Sequence, residues 1–195
     1  VMEPMRHHEP ENDFLKKVRD LATARGIVLV YDEITSGFRT DIGGMHKRFG
    51  VIPDIAVFAK GIGNGFPISA IVGKKEVMDV AQETFVSSTH WTERVGYVAA
   101  LATIAKMKKE RVPQHLDRMG RLIAKGWEAL SKKHDVRITI LGPMPLVTFL
   151  WDYKGKELLL KTIFTQEMLK RGFLASQSVY LSLSHKEQHI KKYLA

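Results

Sequence analysis

The chain has 195 residues, of which 45% are hydrophobic, with no cysteine and a formal net charge of +9. The apolar content suffices for one substantial core and a second small one, and the lack of thiols excludes disulfides, iron–sulfur clusters and cysteine nucleophiles, which fits a reducing, cytoplasmic setting. No stretch reaches the roughly 18 apolar residues of a membrane span and no secretory leader is visible, while the basic residues are scattered over helix ends without a zinc-finger or RNA-binding signature, so neither a membrane nor nucleic acid is expected as a partner.

In chain order, Asn12 or Asp13 is expected to cap a helix over residues 14–25, with Leu15, Val18, Leu21 and Ala22 at helical spacing and Gly26 as its stop. A strand over residues 27–31 follows and runs into Asp32 and Glu33. Residues 43–50 have room for a short helix within a crossover, and residues 55–59 form a second strand that runs into Lys60. Continuous apolar runs of this kind read as strands buried on both faces of a parallel sheet. A glycine-rich turn at 61–67 precedes a third strand at 68–72 and a helix over 75–82.

Next comes a hydroxyl-rich loop at 85–92 before a long helix at 93–109, a place where hydroxyls and unpaired backbone donors suit an anion such as phosphate. Beyond Pro113 the pattern predicts a helix at 116–132, strands at 136–140 and 146–151, and helices at 158–170 and 186–194. This reads as a separate α+β lobe, dividing the chain into domains 1–112 and 113–195.

Chemistry concentrates at the two strand ends. Parallel sheets place ligands outside the carboxyl ends of their strands, so a buried carboxylate (Asp32) beside a buried lysine (Lys60) marks a candidate site. A desolvated lysine can act as an amine nucleophile toward an aldehyde, and an aspartate can hold a ring nitrogen protonated, which is the chemistry of pyridoxal phosphate. Taken singly, Asp32 reads equally as a turn cap and Lys60 as a solvated lysine; the pairing is what carries the reading. The Gly61–Gly63–Gly65 spacing matches neither a Rossmann nor a Walker loop, and His7, His8, Glu9 and Glu11 read as a solvated loop rather than a metal cluster.

The run Tyr31-Asp32-Glu33-Ile34-Thr35-Ser36-Gly37-Phe38-Arg39 closely resembles a segment of class III pyridoxal-phosphate aminotransferases. The run from Pro53 through Lys60 to Ile68 resembles the same family's Schiff-base lysine segment, and Thr89-His90-Trp91-Thr92-Glu93-Arg94 stands where the family has its phosphate-binding threonine. Ser182-Leu183-Ser184-His185 is most similar to the glutamate-1-semialdehyde aminomutase-like branch. The resemblance implies an α/β fold, namely the second half of the large, mostly parallel-sheet domain of a fold-type-I pyridoxal-phosphate transferase plus its small C-terminal α+β domain.

It also implies roles. Asp32 would pair with the pyridinium nitrogen of pyridoxal phosphate, Lys60 would hold the cofactor and then act as the base, Ile34 would pack on a ring face, and Thr89, with Thr92 as its rival, would bind phosphate. In the family that phosphate belongs to the neighbouring subunit's cofactor, which implies a homodimer with shared sites. The expected reaction is transfer of an amino group between an amine donor and an aldehyde or keto acceptor. Intramolecular transfer of the glutamate-1-semialdehyde aminomutase type is the alternative, and the arginine that many family members use for an α-carboxylate is not evident in residues 174–185, which leans toward the aminomutase or sugar-aldehyde branch. A catalytically silent module on the same scaffold is the rival from another class. The chain opens at Val1, at a place resembling the middle of the family's large domain, so a missing first half is expected, along with weak cofactor binding by the chain alone.

Overall fold

The computed structural model describes residues 1–195, which form two compact units, Val1–Pro113 and Gln114–Ala195. In the first, helix α1 (Phe14–Ala24) packs its apolar stripe on the sheet: Leu15 and Ala22 form a buried cluster with Leu29 and Tyr31, and Met2, Val18, Phe49 and Val51 close around it. Asp13 precedes α1 in a left-handed conformation, and its side chain makes no capping bond, contrary to expectation. Gly26, with φ +61°, ends the helix; its amide bonds the Thr23 carbonyl and the Ile27 amide bonds that of Ala22.

Strand β1 (Val30–Asp32) is shorter than the apolar run suggests. Ile27 and Val28 are exposed, because the chain leaves the helix stop before it reaches the ladder. Strand β2 (Ile55–Phe58) pairs parallel with β1, Val30 opposite Ile55 and Asp32 opposite Val57, and the short helix α2 (His46–Phe49) lies in the crossover. Strand β3 (Ala70–Gly73) pairs antiparallel with β2 in the order β1-β2-β3. Among the named strands the parallel pairing therefore covers β1 and β2, with Met2 adding a parallel bridge to Tyr31 on the other side of β1, and the turn after Lys60 is short enough to bring β3 straight back alongside β2. Nor are the strands buried on both faces. β2 alternates between buried and half-buried residues, and Ile71 and Val72 of β3 are exposed. Helix α3 (Lys75–Met78), a 3₁₀ segment (Asp79–Glu83) and the long helix α4 (Arg94–Lys109) complete the unit.

Helix α5 (Val112–His134) starts four residues earlier than the pattern predicts, because Pro113 sits in its first turn, where the missing amide hydrogen costs no intrahelical bond. In the second unit α5 faces the hairpin of β4 (Ile138–Leu141) and β5 (Thr148–Trp151), which pair antiparallel, with helices α6 (Glu157–Lys170) and α7 (Glu187–Leu194). A chain of edge-on aromatic contacts runs through its largely aliphatic core. Trp127 meets Phe149 edge-on at 4.8 Å, and Phe149 meets Trp151 and Phe164 at 4.9 and 5.5 Å. Gly120 lets α5 approach the Met144 backbone more closely than any Cβ would permit.

Candidate active site

The residues after β1 and β2 carry the candidate chemistry. Parallel pairing sets Asp32 opposite Val57, and the ladder continues with the Glu33 amide donating to the Val57 carbonyl at 2.9 Å. Three residues past Val57, Lys60 opens a 3₁₀ turn (Lys60–Ile62). Asp32 and Lys60 thus leave the same end of adjacent strands, where α/β sheets hold their ligands.

Lys60 adopts φ +49°, a left-handed conformation that a side chain beyond glycine seldom takes and that commonly marks a functional turn. Its ammonium donates to Thr35 Oγ1 at 2.9 Å and has no carboxylate partner. Asp32 Oδ1 accepts the Ile34 amide at 2.9 Å, which steadies the carboxylate and leaves Oδ2 without a partner in the chain. Both side chains are more open than the sequence suggests. Asp32 is half-buried and Lys60 exposed, because Lys60 sits in the turn beyond the sheet rather than in it. Desolvation of the lysine amine is therefore not a property of this chain's own surface.

Two tight contacts fix the turns against each other. A Cβ on Gly37 would lie 2.7 Å from the Glu33 carbonyl oxygen and 2.7 Å from Phe58 Cδ1, and one on Gly61 would lie 3.1 Å from the Gly37 carbonyl oxygen. Phe38 then meets Phe58 edge-on at 5.5 Å. Only glycine lets the two turns close to this distance.

Glu33 explains why the first turn holds its shape. It is fully buried and takes four donors: Ser36 Oγ at 2.5 Å, the Met45 and His46 amides at 2.9 and 2.8 Å, and the His46 ring through Nδ1 at 2.9 Å. Burial pushes its carboxyl upward, but the His46 ring, the Ser36 hydroxyl and the two amides outweigh this and hold it below the ordinary glutamate range. Glu33 therefore ties the Asp32 turn to α2 and faces the core rather than the Asp32–Lys60 edge.

Ile34 is half-buried next to Asp32. Thr89 stands in the exposed loop before α4, with no hydrogen bond to Asp32 or Lys60, and Thr92 is exposed in the same loop. The structure thus brings together Asp32, Ile34, Thr35 and Lys60, and joins Thr89 to none of them by a hydrogen bond. Sequence reasoning passed over Thr35, although it lies inside the very motif that carries Asp32. Arg39 donates through Nε to the Thr35 carbonyl at 2.9 Å, buttressing that residue from behind.

The family model for class-III aminotransferases matches residues 5–178. The chain belongs to this family. It is 36% identical over 166 residues to the 3-aminobutyryl-CoA aminotransferase of Cloacimonas acidaminovorans (strain Evry), covering 84% of this chain and 40% of that protein. It is 30% identical over 202 residues to the glutamate-1-semialdehyde 2,1-aminomutase of Clostridium beijerinckii, covering 94% of this chain and 47% of that one. Among solved structures, the FumI protein of Sphingopyxis sp. MTA144 in its PLP internal aldimine form superposes with a TM-score of 0.90 at 24% identity, covering all of this chain and 48% of that one. The fold is therefore that of the fold-type-I transaminases, and the chain spans about half the length of the relatives it matches.

Proposed function

We propose that the chain supplies the Lys60 and Asp32 part of an active site that moves an amino group from an amine donor to an aldehyde or keto acceptor, with pyridoxal phosphate as cofactor. The observation that supports this most strongly is the exit of Asp32 and Lys60 from the same end of adjacent parallel strands, through turns packed to glycine contact. The donor set fits the cofactor: a steadied carboxylate with one open oxygen suits a protonated ring nitrogen, and a lysine bonded only to a hydroxyl suits an aldehyde carbon, which it would meet as the free amine. When bound, pyridoxal phosphate supplies a ring that accepts the electron pair left when a substrate's α proton departs.

Asp32 then holds the ring nitrogen protonated, with the Ile34 amide fixing its orientation. Lys60 would hold the cofactor and, with its amine freed, would serve as the base that moves a proton between the substrate α carbon and the cofactor's aldehyde carbon. Thr35 Oγ1 keeps the freed amine aimed, and Ile34 covers a ring face. Thr89 serves the phosphate of a neighbouring subunit's cofactor, in keeping with its exposed place in the loop before α4. The exposed apolar residues Phe85 (96% exposed), Leu101 (70%) and Val98 (64%) favour a homodimeric assembly, and the absence of cysteine favours the cytoplasm. On this reading Val1–Pro113 is the later part of the cofactor-binding domain and Gln114–Ala195 the small domain.

Amino transfer is the first reading and aminomutation the second, favoured by the likeness to the Clostridium beijerinckii aminomutase along 94% of the chain. The test is borohydride reduction of the cofactor-loaded complete protein followed by peptide mapping. The pyridoxyl label is expected on Lys60; a label on Lys74 or Lys75 overturns the assignment.

A further inference from the structure

The second unit holds a cleft of about 390 Å³ built only from its own residues, within the size range of small-molecule sites. Ile123 of α5, Phe173 and Val179 from the segment after α6, and Ile190 of α7 give it apolar walls. Its polar lining comprises His185, His189 and Tyr193 together with the hydroxyls of Ser178 and Tyr180. The Ser182 amide donates to His185 Nδ1 at 3.0 Å, with the Ser182 hydroxyl at 3.0 Å from the same nitrogen, and the Lys186 amide donates to His189 Nδ1 at 3.2 Å.

A ring nitrogen that accepts an N–H carries no hydrogen of its own, so each neutral imidazole bears its proton on Nε2. Neither Nε2 has a partner in the chain, since both histidines bond through Nδ1 alone. Tyr193 accepts from Trp127 Nε1 at 3.1 Å, which leaves its O–H to donate. No aspartate or glutamate lines the cleft, and the Lys192 ammonium sits 5.9 Å from the Phe173 ring centroid. Three unanswered donors and a nearby cation against apolar walls call for an anionic acceptor carried on an apolar body.

We propose that this cleft binds a small carboxylate with an aromatic or branched apolar body. The carboxylate takes the Nε2–H groups of His185 and His189 and the Tyr193 O–H, and the body lies against Ile123, Phe173 and Ile190. The two histidines do double duty: Nδ1 fixes the backbone that enters α7 and Nε2 faces the ligand. The site lies wholly within the second unit and stands whether or not Lys60 holds a cofactor.

Titration of 3-phenylpropanoate into the 195-residue chain, followed through ¹H–¹⁵N spectra of the histidine rings, tests this. The free protein is expected to show the Nε2–H tautomer at both histidines, and the acid to shift both rings saturably. 2-Phenylethylamine, with the same body and opposite charge, is expected not to saturate. Tyr193→Phe, which keeps the ring, is expected to weaken binding at least about fivefold, and His189→Ala at the exposed rim gives the same loss without touching the core. An Nδ1–H tautomer, no saturable shift, equal binding of acid and amine, or unchanged affinity in both variants overturns the proposal.

Discussion

Asp54, just ahead of β2, is buried yet charged, and replacing it by asparagine tests how the sheet is held. Its carboxylate takes Arg19 Nη1 at 2.7 Å, the Leu29 amide at 2.7 Å and Lys74 Nζ at 2.8 Å, joining α1, the approach to β1 and the turn after β3. The asparagine side chain has nearly the same volume, but keeps a single carbonyl acceptor and turns an NH₂ toward cations. Lys74 is half exposed and counts as a weak surface pair; Arg19 is mostly buried and the Leu29 amide fully so. Removing one side of a buried pair costs about 3–5 kcal/mol and a charged hydrogen bond contributes about 1.5–3, so with one acceptor retained the expected loss at pH 7 is about 3 kcal/mol. For a unit of this size that is a fall in melting temperature of roughly 10 °C. The pH dependence has a definite sign. Burial raises the Asp54 carboxyl, but Lys74, the Leu29 amide and Arg19 outweigh it and hold the carboxyl well below the usual range. A depressed folded value means the stabilisation is whole above the unfolded value of about 3.9 and drains away as pH falls below it. Unfolding of wild type and Asp54→Asn, followed by calorimetry at pH 7, 5 and 3, should show a constant gap at the first two and a smaller one at the third. A loss under about 1 kcal/mol at pH 7, or an unchanged gap at pH 3, would refute the reasoning.

Gly37→Ala places a Cβ against the Glu33 carbonyl and the Phe58 ring, and is expected to cost about 1–3 kcal/mol in urea unfolding; a neutral result means the turns are not in contact. Asp32→Asn in the complete protein should cut amino transfer by at least about a hundredfold at saturating cofactor while thermal stability stays within about 0.5 kcal/mol, and near-normal turnover would remove Asp32 from the ring. Thr35→Val takes away the one hydroxyl that Lys60 bonds. It should leave stability within about 1 kcal/mol and lower the rate of α-proton exchange, with serine in its place restoring it; equal exchange rates for valine and threonine would show that the hydroxyl does not aim the amine.

The chemistry proposed for the site rests on signals that are local. Asp32, Ile34 and Lys60 fall inside unbroken motifs, and the strand-then-turn pattern around each can be read from neighbours in the chain. What joins those motifs was not legible, because its partners are remote. Glu33 reaches Ser36 three residues on, which a reader of the sequence can suspect, but its other donors are Met45 and His46, across the crossover. Asp54 depends on Arg19 and Lys74, neither of which a local pattern singles out. The same limit explains the strands: alternation and burial depend on which neighbour a strand meets, so β1 loses Ile27 and Val28 and β3 turns out antiparallel. Pro113 misled for the opposite reason, since as a breaker it is read locally, and its place in a first turn shows only when the helix is seen whole.

The two buried carboxylates and the more open pair, half-buried Asp32 and exposed Lys60, form one arrangement. Glu33 and Asp54 each neutralise their burial with several donors and so set the turn after β1 and the approach to β2 at fixed places. Asp32 and Lys60 inherit those places without contributing to them: one has an open oxygen and the other a single hydroxyl partner. On the proposed reading, separating the groups that hold the frame from those that meet the ligand leaves the Asp32–Lys60 pair free to exchange partners while the backbone beneath stays put. The order of effects follows: changes at Glu33 or Asp54 should be read in stability, and changes at Asp32 or Lys60 in chemistry. A variant at Asp32 that unfolds the chain as severely as one at Asp54 would break that division.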